Sequence, residues 1–226
     1  MSRTPFEIVY EDAQMIVCRK PAGLAVQTAR VSGKDLESLV KTHIFEQTGK
    51  PAPYLGIIHR LDQPVQGLVV FAKDPKSAAS LSTQVQDGRM KKYYRALVCA
   101  EPAGEEGTLC DTLKKEPKGN VSRVVSADTP GGKKAKLNWK KLETREVDGK
   151  VCSLLDIELF TGRHHQIRVQ LSNAGWPLLG DLKYGTQPAD QLALCAYRLK
   201  LRHPKNGKEM EFTCQYSFEG DAAFHI

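Results

Sequence analysis

The stretch Gly67–Lys73 constrains the fold most, because it is a short apolar run with turn residues at both ends. Gln63-Pro64 precede it and Asp74-Pro75 follow it. A continuous apolar run between turns predicts a buried strand. Asp74 and Pro75 then predict the N-cap and first residue of a helix.

Helices and strands are mixed along the rest of the chain. Residues 36–48 carry apolar side chains on one helix face, with Asp35 as N-cap and Gly49 beyond the end. A helix is also predicted over His165–Ala174. Strands are predicted at Phe6–Tyr10, Met15–Cys18, Ile57–Asp62, Tyr93–Ala100 and Ser153–Phe160, and on both sides of the turn His203–Gly207. The lysine-rich stretch 113–136 predicts a mobile, basic loop that leaves the domain between two strands, an excursion rather than a domain linker. The pattern indicates one α+β domain over residues 1–226, built on a large, mostly antiparallel sheet.

The amino-acid composition indicates which classes of molecule the protein could bind. The 33 Lys and Arg against 26 Asp and Glu give a net charge of +7, which favours a polyanionic partner such as nucleic acid or an anionic membrane. An ordinary basic enzyme remains equally open at this point. No leader or membrane-spanning run is apparent, and the six cysteines form no C-x-x-C pair. We therefore expect a cytoplasmic protein with reduced cysteines and no metal site.

Three short motifs suggest chemistry. His59-Arg60-Leu61-Asp62 ends a predicted strand with a carboxylate, which acid–base and covalent catalysis both require, although an isolated Asp more often caps a turn. His59 alone is likewise more often structural. The stretch Thr161–Arg168 joins a glycine turn to a basic helix N-terminus suited to anions. In Lys91–Val98, basic side chains surround a tyrosine that could stack on a nucleobase or transfer a proton. A half-buried strand tyrosine without such a role is, however, common.

In this order, the motifs resemble the RluA branch of the pseudouridine synthases over nearly the whole chain. The resemblance rests on six blocks, which are Tyr10–Asp12, Lys20–Gly23, His59–Asp62 with Gly67–Lys73, Lys92–Val98, Gly162–Val169 and Gly175–Gly185. Departures from the family pattern are Val65-Gln66, His164, Gln170 and Cys195. The resemblance implies the pseudouridine synthase fold, with a curved sheet flanked by helices. The chain is expected to be the catalytic domain without an S4 module.

The resemblance also implies roles for single residues. Asp62 is the expected catalytic carboxylate, Arg168 its ionic partner, and Tyr94 the group against the uracil. His59, Arg60, Lys92, Arg163, His165 and Gln166 are the expected RNA contacts. Arg60 is our candidate to fill the space that a flipped-out uridine leaves.

The implied partner is transfer or ribosomal RNA. No cofactor, nucleotide or membrane is implied, and a monomer is our default. Two alternatives stay open. One is a non-catalytic RNA-binding or ribosome-assembly protein with the same fold. The other is a glycoside hydrolase, which usually needs two carboxylates, whereas the matched motifs supply only Asp62.

Overall fold

The computed structural model describes residues 5–28, 34–147, 149–216 and 218. The described residues form two compact units: unit 1 takes those within Met1–Lys91 and Ala196–Tyr216, and unit 2 takes those within Lys92–Cys195 and Ser217–Ile226. The prediction of one domain over residues 1–226 stays a prediction beside this division. No helix in the described part of the chain is long and apolar enough to cross a membrane. The six cysteines, all within that part, form no disulfide.

The described residues form three helices and eleven strands. The helices are α1 (Leu36–Thr48), α2 (Pro75–Gln86) and α3 (Gln166–Asn173). The strands are β1 (Glu7–Glu11), β2 (Met15–Lys20), β3 (Gly56–Ile57), β4 (Gln66–Ala72), β5 (Lys91–Val98), β6 (Glu106–Lys115), β7 (Ser122–Val125), β8 (Lys133–Val147), β9 (Lys150–Leu159), β10 (Leu194–Arg202) and β11 (Glu209–Thr213).

Unit 1 is built around β4, whose seven residues are all buried, as its apolar sequence predicts. β4 pairs antiparallel with β2 and with the short β3, and β2 pairs antiparallel with β1. Gly67 has a φ of 125°, and a Cβ at this position would overlap the backbone of Ala196. Glycine is therefore required where these two chain segments approach. Leu81 of α2 packs with Met15, Leu68 and Phe212 in the core of this unit.

Local capping explains the first two helices. Asp35 accepts from the Ser38 backbone N–H at 2.8 Å, and the Ser38 hydroxyl oxygen accepts from the Asp35 backbone N–H at 3.2 Å. Gly49 ends α1 in a left-handed conformation. Asp74 caps α2 in the same way through the Ser77 backbone N–H at 2.9 Å. Both predicted boundaries are confirmed.

Unit 2 is an antiparallel sheet in the order β5-β9-β8-β6-β7. The prediction of a mobile excursion over residues 113–136 is wrong where the stretch forms paired strands, because residues 113–115, 122–125 and 133–136 lie in β6, β7 and the start of β8. Its lysines alternate with residues such as Leu113 and Ala135, which pack against Val169 of α3. A strand needs only alternate apolar residues when one face is solvated, so the lysines concealed a half-buried sheet.

The strand predicted over Ile57–Asp62 ends at Ile57. Beyond it, the imidazole Nε2 of His59 accepts from the backbone N–H of Val70 at 3.3 Å. A side chain therefore takes the acceptor position that a longer β3 would have filled with its backbone. Strand pairing ends at this point, and the residues from here to Asp62 have an irregular conformation.

Candidate active site

Asp62 lies in unit 1 at the start of a tight turn. Its backbone carbonyl accepts from the Val65 N–H at 3.0 Å, and its neighbour Leu61 is 7% exposed. The Asp62 side chain itself is half-buried. The turn thus holds a half-buried carboxylate, while the buried apolar side chain of Leu61 anchors the segment.

Lys20 is the most unusual residue near this turn. It is fully buried, and its ammonium Nζ donates to the carbonyls of Pro21, Leu24 and Gln63 at 3.0, 2.6 and 3.0 Å. Three acceptors match the three protons of an ammonium. Burial lowers the pKa of Lys20 to about 7, and the negative charge of Asp62 acts in the opposite direction. We call Lys20 and its three carbonyl partners the Lys20 brace.

Two further hydrogen bonds join the Lys20–Gly23 block to the Asp62 turn. The Gly23 N–H donates to the Gln63 carbonyl at 3.0 Å, and the Gln63 side-chain amide donates to the Gly23 carbonyl at 3.0 Å. Gln63, the residue next to Asp62, is therefore held both by the Lys20 brace and by Gly23. Sequence reasoning missed Lys20 as a site residue, although it lies in a matched block.

The remaining residues of the first motif differ in exposure. His59 is half-buried and bonded to β4 as described, which supports a structural role. Arg60 is exposed on the surface, where its guanidinium is open to a large partner. Direct RNA contact stays a prediction for both residues.

Arg168 lies in unit 2, buried on α3 at 4% exposure. Its Nε and Nη2 donate to the two carboxylate oxygens of Asp181 at 2.8 and 2.7 Å. Asp181 is 2% exposed. Burial alone would raise the pKa of Asp181, but the hydrogen bonds and charge of Arg168 hold it below its ordinary value. The sequence analysis gave Asp181 no role.

The basic motif before α3 is more buried than we expected. His165, at 7% exposure, bonds the Tyr184 hydroxyl at 2.8 Å, and burial lowers its pKa to about 3, helped by the charge of Arg168. Gln166, at 3% exposure, accepts from Thr161 and the Arg163 N–H. These contacts support structural roles for His165 and Gln166, whose RNA contact stays a prediction.

The last three predicted residues all belong to unit 2. Arg163 is exposed, and its Nε donates to the Lys134 carbonyl at 2.8 Å. Lys92 is 9% exposed on β5, and burial lowers its pKa. Tyr94 is 5% exposed two residues further along β5, opposite Ile157 of β9. Tyr94 and Arg168 thus lie in unit 2, whereas Asp62 lies in unit 1, and the predicted Asp62–Arg168 pair stays a prediction.

The family model for RNA pseudouridylate synthase matches residues 14–173, which include Asp62, Tyr94 and Arg168. The chain belongs to this family. An uncharacterized RNA pseudouridine synthase of Chloroflexus aurantiacus is 37% identical over 86% of the chain and 60% of its own length. The ribosomal large subunit pseudouridine synthase D of Zymomonas mobilis is 31% identical over 93% of the chain and 69% of its own length. The chain therefore spans about 60 to 69% of these two pseudouridine synthases.

Solved structures of this family have the same fold. The human RNA pseudouridylate synthase domain containing 1 superposes with a TM-score of 0.77 at 20% identity, covering 94% of this chain and 84% of its own. The human RNA pseudouridylate synthase domain containing 4 superposes with a TM-score of 0.75 at 21% identity, covering 93% of this chain and 88% of its own. The predicted α+β pseudouridine synthase fold is thus confirmed.

Proposed function

We propose that this protein is an RNA pseudouridine synthase and that Asp62 is its catalytic carboxylate. The observation that carries the proposal is the family match over residues 14–173, which contains all three expected catalytic residues. The Lys20 brace adds support, because a buried cation beside Asp62 favours the ionised carboxylate that the reaction needs.

The reaction breaks the N1–C1′ bond of a uridine, turns the base over, and joins C5 to C1′. Asp62 either attacks C1′ or removes a ribose proton and stabilises the cationic sugar. The proton lost from C5 is balanced by the proton that N1 gains, so the product is an isomer. Our proposal therefore involves no cofactor.

Tyr94 and Arg168 support this chemistry in our proposal. A buried tyrosine at 5% exposure suits a position against the flat face of uracil, and its hydroxyl is a candidate base for the C5 proton. Arg168 keeps Asp62 ionised, because a guanidinium favours the charged form of a carboxylate.

The proposed partner is transfer or ribosomal RNA, bound by a cytoplasmic monomer. The ribosomal-RNA arm is tested first, because the similar Zymomonas mobilis protein is named for the large ribosomal subunit. The net charge of +7 suits either RNA.

The test is tritium release from RNA labelled at uracil C5, using separate ribosomal and transfer RNA pools. We expect release by the wild type and a loss of about 10³-fold or more in Asp62→Asn, which keeps the shape but removes the charge. Asp87→Asn is the matched control, because Asp87 is an exposed carboxylate paired with Arg89. Wild type that binds RNA but releases no tritium from either pool would favour the non-catalytic RNA-binding alternative.

A further inference from the structure

The block Asp181–Gly185 matches the family, but the mechanism above gives it no task. We propose that Asp181 and Tyr184 are positioning residues for Arg168, and that His164 links them to the turn between β6 and β7. This inference rests on the proposed function for its catalytic consequence. We call Arg168, Asp181 and Tyr184 the Arg168 clamp.

Asp181 fixes the direction of the Arg168 guanidinium. The side-on contact uses two of the five guanidinium N–H groups, which sets where the other three point. Asp181 is itself held, because its Oδ1 also accepts from the backbone N–H groups of Lys183 and Tyr184 at 2.9 and 3.2 Å. A buried carboxylate with this many donors has one orientation, and so does the arginine bound to it.

Tyr184 contacts Arg168 from another side. The guanidinium carbon lies 5.2 Å from the centre of the tyrosine ring, within range of a cation–π contact. The Tyr184 hydroxyl accepts from the Ser122 backbone N–H at 2.7 Å and lies 2.8 Å from His165 Nδ1. The hydroxyl oxygen is thus held by a backbone donor on one side and an imidazole nitrogen on the other. These two contacts fix the position of the Tyr184 ring against Arg168.

His164 extends these contacts to the β6–β7 turn. Its ring stacks on His165 with centroids 3.8 Å apart, its Nδ1 bonds the Ser122 hydroxyl at 2.8 Å, and its Nε2 bonds the Asn120 side-chain oxygen at 3.0 Å. Lys183 reaches the same turn by donating to the Asn120 carbonyl at 2.7 Å. Two neighbours of the clamp thus hold one turn, and a change in that turn is transmitted to Arg168.

The backbone at His165 shows that this arrangement is imposed by its surroundings. His165 has a φ of 54°, which is uncommon for a residue other than glycine, and it precedes α3 without a side-chain capping bond. His164 is also a position where this chain departs from the family pattern. A threonine hydroxyl is too short to bond both Ser122 and Asn120, so the link to the turn is a property of this chain.

Three variants remove the contacts one step at a time: Asp181→Asn, Tyr184→Phe and His164→Thr. Tyr54→Phe is the matched control, because Tyr54 is a 45% exposed tyrosine of unit 1. In single-turnover tritium release at saturating RNA, we expect the rate to fall about 100-fold, about tenfold and about threefold in that order, with RNA affinity changed less than about threefold. A loss in rate without a loss in affinity distinguishes positioning from RNA binding.

A second measurement uses the protein alone. The Arg168 Nε–H resonance is identified by its disappearance in Arg168→Lys. We expect this proton to exchange with water faster in each of the three variants than in the wild type. In Tyr54→Phe its exchange rate should be unchanged. Wild-type exchange and wild-type rates in both Tyr184→Phe and His164→Thr would overturn the inference, even where Asp181→Asn does not fold. An inactive wild type would overturn the proposed function instead, while the exchange measurement would still decide whether the clamp exists.

Discussion

Two buried cations, Lys20 in unit 1 and Arg168 in unit 2, are held by different kinds of partner. Lys20 donates to three uncharged backbone carbonyls, whereas Arg168 forms a bidentate ion pair with the Asp181 carboxylate. Carbonyl dipoles replace water incompletely, and the pKa of Lys20 falls to about 7. A guanidinium keeps its proton in any protein environment. The brace therefore contains a group that titrates near neutrality, while Arg168 remains charged.

The difference separates two tasks. The Lys20 brace ties together chain segments through their backbones, so its main effect should be on stability around Asp62. The Arg168 clamp orients one side chain through other side chains, so its main effect should be on rate. Variants that remove one partner at a time can test this separation.

The largest expected effect on stability comes from Lys20→Met, which keeps the buried aliphatic stem but removes the ammonium that donates to the carbonyls of Pro21, Leu24 and Gln63. We expect the free energy of unfolding to fall by about 2 to 3 kcal/mol, measured by urea denaturation. Lys41→Met is the control, because Lys41 is 41% exposed in a helical pair with Glu37, and it should change stability by less than about 0.5 kcal/mol. Equal effects of the two variants would show that the brace is not a stabilising element.

The next effect concerns His165 and acid. The pKa of His165 is about 3 in the folded protein, against an ordinary value near 6.5. Between these values the unfolded chain binds a proton that the folded chain does not, so stability is lost as the pH falls below 6.5.

His165→Asn keeps a residue that tolerates positive φ but removes the titration. Between pH 6.5 and pH 5, the wild type should lose about 2 kcal/mol more of its free energy of unfolding than this variant. Urea denaturation at the two pH values measures the difference. Parallel losses in the two proteins would mean that burial and the charge of Arg168 do not lower the pKa of His165 in the folded state.

The smallest effect compares two exposed arginines, Arg60 of unit 1 and Arg163 of unit 2. If Arg60 fills the space left by a flipped uridine, Arg60→Ala should slow reaction on a structured RNA about tenfold and spare a flexible single strand. If Arg163 contacts phosphate, Arg163→Ala should weaken binding of both RNAs equally and lower the salt dependence. Tritium release and salt titration measure the two effects. Equal loss on both RNAs in Arg60→Ala would remove its proposed role.

Sequence alone was sufficient where the physics is local. Asp35 and Ser38 cap α1 within four residues of chain, and Pro75 can only begin a helix at its first turn, so both boundaries were predicted correctly. The buried strand β4 was also predictable, because its residues from Gly67 to Ala72 are apolar without interruption. Local patterns failed at β6–β8, where lysines on the solvated face concealed the apolar alternation.

The sequence by itself determined the family, the fold and the expected catalytic residues, because these follow from short motifs in a fixed order. Only the tertiary structure decided which groups hold the buried cations. Lys20 meets the carbonyl of Gln63, 43 positions away in the chain, and Tyr184 meets Ser122 across 62 positions. Every residue offers a carbonyl and many offer a carboxylate or hydroxyl, so sequence cannot select a partner among them. Packing selects it, because an unpaired charge or polar group inside the core is too costly to keep.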